Sequence, residues 1–383
     1  MPGSFVRTFA MLLAGCLVGF LIGTCTGKGA LAEEPPARQL PRFDLLQYRD
    51  EGGQRHPVKS EADWQRRRSS VLQAMSSVMG AFDAERRRCP LDMQLVETVD
   101  CGSYQRQLIR YQSEPGCDVP AYLCVPKTAL GPAGRVAPAV LCLHPTDLQH
   151  GHQVVVGIAG RPNRQYAAEL AQRGFVTLSP SYPLMADYQP DLENLGWQSG
   201  TAKAIWDNRR GLDLLESLPF VRGNRFAAIG HSLGGHNAVY TACFDQRIAV
   251  IVSSCGLDCY VDYYDGDAER WRPGHGWCQQ RYMPQMAAYQ NRLQEIPFDF
   301  PELIGALAPR RTLIIAPKHD TNFRAASVDR IAAAARDVYR LLGVPDRLQV
   351  LHPDCDHDFP EAMRERAYRL IEETLAPDAP DPE

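Results

Sequence analysis

The sequence predicts an α/β fold with a mostly parallel central sheet, helices on both faces and a small inserted cap. The first observation is a set of short apolar runs without clean alternation: Ala139–Leu143, Val176–Leu178, Phe226–Ile229, Ala249–Val252, Leu313–Ala316 and Leu348–Leu351. Runs of this length suit strands covered on both faces, the usual state of a parallel sheet. The second is that segments of helical character lie between them: Gln165–Arg173, Thr201–Ser217, Gly235–Phe244, Ala326–Leu342 and Glu361–Leu375. Alternating strand and helix implies parallel strands joined by helical crossovers. The third is an interruption of that alternation from Gly256 to Ala306, rich in Trp, Tyr, Pro and Gly, which reads as a cap.

Ahead of the alternation, the first 32 residues have the form of an export signal. Arg7 supplies a positive start, Phe9–Ile22 an apolar stretch, and Ala30-Leu31-Ala32 a small-residue cleavage site before Glu33. The apolar stretch is shorter than the ~18 residues that favour a spanning helix. A retained membrane anchor is the alternative. A lipid anchor is another, because Leu13-Ala14-Gly15-Cys16 resembles a bacterial lipobox, although Leu17–Ile22 stay apolar after that cysteine. The segment 33–90 is expected to hold a linker, Pro-rich and charged from Glu33 to about Pro57, and then a helix. Ser60 caps that helix, Glu61 and Asp63 sit in its first turn, and Trp64, Val71, Leu72, Met75 and Val78 recur at its spacing before Gly80 ends it. The arginine triples Arg66–Arg68 and Arg86–Arg88 read as a solvated helix face and a loop. The main domain is expected over 91–383. It opens with two strands, Leu108–Tyr111 and Ala121–Val125, joined by the turn residues Glu114–Asp118.

Composition bounds the function. With 45% apolar residues in 383, a large core is within reach, and a net charge of −4 gives no basic footprint for nucleic acid. Of twelve cysteines, Cys16 and Cys25 fall in the leader. In an exported chain the others permit disulfides: Cys255 with Cys259 across a small loop, or Cys101 with Cys117 or Cys124. The competing reading is buried free thiols, with Cys142 inside an apolar strand as the best example.

The chemistry centres on Gly230-His231-Ser232-Leu233-Gly234-Gly235, which directly follows an apolar strand and opens a helix. That is the setting of a G-x-S-x-G nucleophile elbow, where glycines relieve a sharp strand-to-helix turn and the serine hydroxyl stands at the top of the sheet. The Leu233 N–H then lies at a helix N-terminus, facing developing negative charge. A serine hydroxyl needs a base. In the order serine, acid, histidine, the base is His357, on the loop after the last strand, with His352 the second choice. The acid is Asp320, after Leu313–Ala316; its competing role is a helix cap. Asp356 and Asp358 are expected to brace the histidine loop. A second oxyanion donor is expected from the loop Leu143-His144-Pro145-Thr146-Asp147, where Pro145 has no N–H and the Thr146 N–H is the natural choice. Each such donor is worth roughly 3 kcal/mol in the transition state. His150-Gly151-His152 and Asp354/Asp356/Asp358 lack further ligands at metal-site spacing, so neither a metal nor a cofactor is expected.

From about residue 60 onward the sequence resembles the dienelactone hydrolase and acetyl-xylan-esterase-like branch of the α/β-hydrolase superfamily. The resemblance rests on Val119–Leu123, Leu143–Thr146, Gly160–Ala167, Gly230–Asn237 and His357–Pro360. It implies the α/β-hydrolase fold and a Ser/Asp/His triad, while leaving open sugar acetates, uronate esters, lactones and peptides as substrates. Dienelactone hydrolases themselves usually carry a cysteine nucleophile where this chain has Ser232, which argues against that activity. The expectation is therefore an exported serine hydrolase of small-molecule or polysaccharide esters, binding no nucleic acid and touching membrane only if the leader is retained. A serine peptidase and a non-catalytic binding module are the alternatives. Tyr260, Tyr263, Tyr264, Trp271 and Trp277 of the insertion either offer platforms for sugar rings or pack the cap.

Overall fold

The computed structural model describes residues 40–81, 83–131 and 134–376. The expected leader, 1–32, lies outside them. The second half of the expected linker is folded: β1 (Gln47–Arg49) and β2 (Arg55–Pro57) form a two-stranded antiparallel sheet. Leu45, Tyr48 and Val58 are buried beside it, and Arg42 pairs with Asp299 at 2.6 Å. Helix α1 (Glu61–Met79) starts where the sequence places it, with Ser60 accepting from the Asp63 N–H. It buries Trp64, Val71, Met75 and Val78.

The arginine triples are not merely solvated. Arg67 is buried in an ion pair with Glu302, and Arg68 donates to the Ala306 and Cys243 carbonyls. Arg87, in the short helix α2 (Ala84–Arg87), pairs with Glu114 and stacks 3.9 Å from the Trp197 ring centre. Arginine serves here as a clamp because one guanidinium satisfies several acceptors at once.

The main sheet is built from β3 (Gln94–Asp100), β4 (Tyr104–Glu114), β5 (Cys117–Pro126), β6 (Ala137–Leu143), β7 (Val176–Pro180), β8 (Val221–His231), β9 (Ile248–Ser254), β10 (Arg311–Ile315) and β11 (Leu348–Leu351). Their order is β11-β10-β9-β8-β6-β7-β5-β4-β3. Pairing is parallel from β11 to β7 and antiparallel where β5, β4 and β3 extend the sheet. Helices α3 (Tyr166–Gln172), α4 (Gly200–Ser217), α5 (Leu233–Phe244), α6 (Phe300–Leu307), α7 (Ala325–Leu341) and α8 (Glu361–Leu375) complete it.

Two cores explain the unbroken apolar runs. In β8, Phe226 and Ala228 face a core shared with α1 and α4–α7, while Ala227 and Ile229 face one shared with α3 and α8. Strand β3 is absent from the sequence reading. It is an exposed edge strand, and solvent on both faces leaves no apolar periodicity to detect.

The insertion divides in two. Its end, α6, is a core helix opened by a capping box between Asp299 and Glu302. From Gly256 to Phe298 the chain runs through short 3₁₀ turns without a strand or α-helix. Tyr260 is fully buried and meets the rings of Trp271, Trp277, Phe298 and Phe300 at centroid distances of 5.9, 5.5, 5.6 and 5.4 Å. Those aromatics pack the cap; of the five singled out in the sequence, Tyr264 is exposed. Every described cysteine is a free thiol, Cys101, Cys117, Cys124, Cys255 and Cys259 included. No described helix is long and apolar enough to cross a membrane.

Candidate active site

The elbow follows from sterics. Strand β8 ends at His231 and α5 begins at Leu233, so Ser232 alone makes the turn, with φ 55° and ψ −120°. A side chain at Gly230 would put its Cβ 2.2 Å from the Gly234 carbonyl, and one at Gly234 would lie 1.9 Å from the Leu143 oxygen. No backbone adjustment smaller than a displaced strand accommodates either. The Ser232 N–H donates to the Ser254 carbonyl at 2.8 Å, holding the strained residue to the neighbouring strand. Such strain at a single turning residue is characteristic of functional positions.

The loops after β10 and β11 bring Asp320 and His357 together, with His357 Nδ1 2.8 Å from Asp320 Oδ2. The Asp320 side chain is fully buried, and its other oxygen accepts from the Asn322 and Phe323 N–H groups at 2.8 and 3.0 Å. The competing role, a helix cap, is not taken: α7 begins at Ala325 with Arg324 at its N-cap, and Asp320 Oδ1 closes the turn ahead of it. Ser232, His357, His231 and Thr146 line one cleft of about 310 Å³, together with Arg161 and Arg164. The second-choice histidine is occupied elsewhere: His352 contacts the Ala316 carbonyl at 2.7 Å and Asp329 at 3.0 Å. Asp358 pairs with Arg164 and accepts from Asn163 at 2.7 Å.

Residues that the sequence reading left without a role prove to shape the cleft. His144 Nε2 accepts from the Tyr182 N–H at 2.9 Å, so its Nδ1 carries the proton and donates to the Pro145 carbonyl at 2.7 Å. Burial pushes the His144 pKa down to about 4, so it stays neutral in this tautomer. The Pro145 carbonyl and the Thr146 N–H belong to one trans peptide and point in opposite directions. Fixing the first therefore fixes the second. The Thr146 hydroxyl also meets the Tyr282 hydroxyl of the cap at 3.0 Å.

His231, adjacent to the elbow serine, is buried with its ring 4.8 Å from that of His357. Burial, with Arg164 and His357 nearby, holds its pKa well below the ordinary value, so it adds no competing charge. Two buried arginines clamp the histidine loop: Arg164 donates to the His357 carbonyl at 3.1 Å and Arg364 to the Phe359 carbonyl at 2.7 Å. Arg161 is exposed at the cleft and makes no hydrogen bond or ion pair among the described residues. Gly160–Ala167 carried part of the resemblance, but nothing in its pattern says that one arginine braces the loop and the other faces solvent.

Sheet order, elbow and strand-end loops define the class: this is an α/β-hydrolase-fold protein presenting a serine, a histidine and an aspartate at the carboxyl edge of its parallel strands. Residues 196–343 match a family model described as "Glucuronyl esterase, fungi". The chain is 27% identical over 267 residues to "Putative hydrolase YtaP" of Bacillus subtilis (strain 168), covering 67% of this chain and 83% of that one. It is 26% identical over 189 residues to a 4-O-methyl-glucuronoyl methylesterase 1 of Wolfiporia cocos (strain MD-104), covering 45% of each. In three dimensions it is similar to a glucuronoyl esterase from Solibacter usitatus, with a TM-score of 0.69, 19% identity, and 88% of this chain and 98% of that one covered.

Proposed function

We propose that the chain is a serine carboxylic-ester hydrolase that works through an acyl-enzyme on Ser232, with uronate esters of polysaccharide as its first substrate class and sugar acetates as its second. The single observation that carries the mechanism is the 2.8 Å His357–Asp320 pair beside the elbow serine in one cleft. The uronate preference is supported by the glucuronoyl esterases among its relatives.

His357 takes the Ser232 proton as the hydroxyl attacks the ester carbonyl. Asp320 holds the imidazole and stabilises its cationic form. The Leu233 and Thr146 N–H groups receive the oxyanion. His357 then passes the proton to the leaving alcohol, and water releases the acid by the same route. Export, through the N-terminal segment, is part of the same proposal and fits a polymeric substrate outside the cell.

The test is a substrate panel combined with active-site labelling. Fluorophosphonate is expected to label the wild type at Ser232, and a glucuronic acid methyl ester is expected to be hydrolysed ahead of p-nitrophenyl acetate and chromogenic dipeptides. Turnover of the dipeptides alone would make the protein a peptidase. A folded protein that neither labels nor turns over any substrate would make it a binding module.

A further inference from the structure

The strand ends that deliver Asp320 and His357 deliver a third side chain for which the hydrolytic mechanism has no use. Cys255 directly follows β9, in a left-handed conformation with φ 50°, and is 2% exposed. Its N–H donates to the Ile315 carbonyl at 2.8 Å, which ties it to the end of β10. Its Sγ lies 3.3 Å from the Asp358 carbonyl, inside the histidine loop. The thiol sulfur, a carboxylate oxygen of Asp320 and a ring nitrogen of His357 all lie within 4.8 Å of one another. Among the described residues no other set of three His, Cys, Asp or Glu side chains converges this way. The spacing has a structural cause. The three residues follow β9, β10 and β11, consecutive neighbours in the sheet. Strands β9 and β11 are two strand spacings apart, about 9.6 Å. It is therefore the histidine loop, reaching back over the strand ends to put the Asp358 carbonyl 3.3 Å from Cys255 Sγ, that closes the triangle.

We propose that Cys255, Asp320 and His357 form an inhibitory binding site for a thiophilic divalent cation, with Zn²⁺ as the type. One sulfur, one nitrogen and one carboxylate oxygen make a donor set that zinc accepts, and a fourth, open position remains for water. Ligand bonds of about 2.0–2.3 Å set tetrahedral donors about 3.5 Å apart, so the 2.8 Å His357–Asp320 edge opens while any longer edge to the thiol closes. The half-buried His357 ring, at the cleft wall, provides the entry route.

Binding releases the thiol proton to solvent and forms the metal–sulfur bond. The His357 Nδ1 lone pair goes to the metal, and the ring proton moves to Nε2. The imidazole then has no lone pair to offer the Ser232 hydroxyl, and its hydrogen bond to Asp320 is broken. Hydrolysis stops without any change to the elbow. The site rests on the geometry of Asp320 and His357, whereas its effect on turnover rests on the proposed mechanism, so binding and inhibition are measured separately.

The experiment titrates chelator-treated full-length protein with Co²⁺, following the thiolate-to-cobalt charge-transfer band, and with Zn²⁺ during hydrolysis of p-nitrophenyl acetate. The wild type is expected to bind one ion with a thiolate band and to lose activity reversibly, recovering when chelator is added. Cys255→Ala is expected to keep its metal-free activity, lose the band and need about 100-fold more Zn²⁺ for the same inhibition. Cys255→Ser, which preserves size, is expected to do the same if the alanine variant does not fold. Ser232→Ala is expected to be inactive yet keep the band, so the site is tested even if the proposed mechanism fails. Cys355→Ala is expected to behave as wild type. A wild type without a thiolate band, a Cys255 variant inhibited as strongly as wild type, or loss of the band in Cys355→Ala would each overturn the proposal.

Discussion

The elbow and the cap are built on opposite rules. From Phe226 to Phe244 the backbone dictates everything: a strand, one turning residue and a helix, with backbone atoms crowding any side chain at three positions, Gly230, Gly234 and Gly235. From Gly256 to Phe298 side chains dictate: short 3₁₀ turns are gathered round Tyr260, Trp271 and Trp277. The two indole N–H groups of that cluster are buried without a hydrogen-bond partner among the described residues. The difference teaches where precision is needed. A reacting hydroxyl must be placed to a fraction of an ångström, which a strained turn between regular elements achieves. The aromatic segment, which contributes none of the residues lining the Ser232 cleft, needs only to fill space, and packed rings do so through many individually replaceable contacts.

Four substitutions break or sharpen this contrast, taken from the largest effect down. Ser232→Ala removes the proposed nucleophile without touching the backbone. It is expected to lower kcat by about 10⁴–10⁶-fold with an unchanged melting temperature, and undiminished turnover would remove Ser232 from the mechanism. Gly234→Ala attacks the backbone instead. With its Cβ 1.9 Å from the Leu143 oxygen, it is expected to cost more than about 4 kcal/mol in denaturant unfolding, and a stable, active variant would refute the close-approach account of the elbow.

Trp277→Ala tests the cap. This side chain is 5% exposed, and its loss is expected to cost about 3 kcal/mol while fluorophosphonate labelling of Ser232 persists. Abolished labelling in a folded variant would mean that cap and elbow are not separable.

Asp258→Asn has the smallest effect and reads out as pH dependence. Asp258 is 1% exposed, and burial pushes its pKa up to about 7. The group holds its proton more tightly in the folded state, so the stability it contributes is complete below pH ~4 and lost as pH rises through 7. Between pH 6 and 8 the wild type is expected to lose about 1 kcal/mol relative to the variant. Asp299 and Glu302, raised to about 6 and about 7 by burial, titrate in both proteins and cancel in that difference. Parallel stability curves for the two proteins would show that Asp258 is ionised throughout.

How far the site could be read in advance depended on whether a residue's role was local. Ser232 announced itself because strand, glycine spacing and helix are contiguous in sequence. Asp320 and His357 were found by position relative to predicted strands, and the structure sets them 2.8 Å apart. His144, Arg164 and Arg364 gave no local signal, since each works by donating to a carbonyl whose position is set by another element. Helix α6 was missed for a different reason. Its capping box, Asp299 to Glu302 with Pro301 between, is present in the sequence, but the aromatic-rich stretch before it led the whole segment to be read as cap.

The sequence by itself determined the alternation of strand and helix, the elbow and the candidate nucleophile, because these depend on periodicity and on glycine's missing side chain, both local properties. Only the tertiary structure decided the cap's packing, the arginine clamps, the orientation of the Pro145–Thr146 peptide and the meeting of Cys255 with Asp320 and His357. Those depend on which strands lie side by side, and that order is chosen by burial of the whole chain rather than by any one segment.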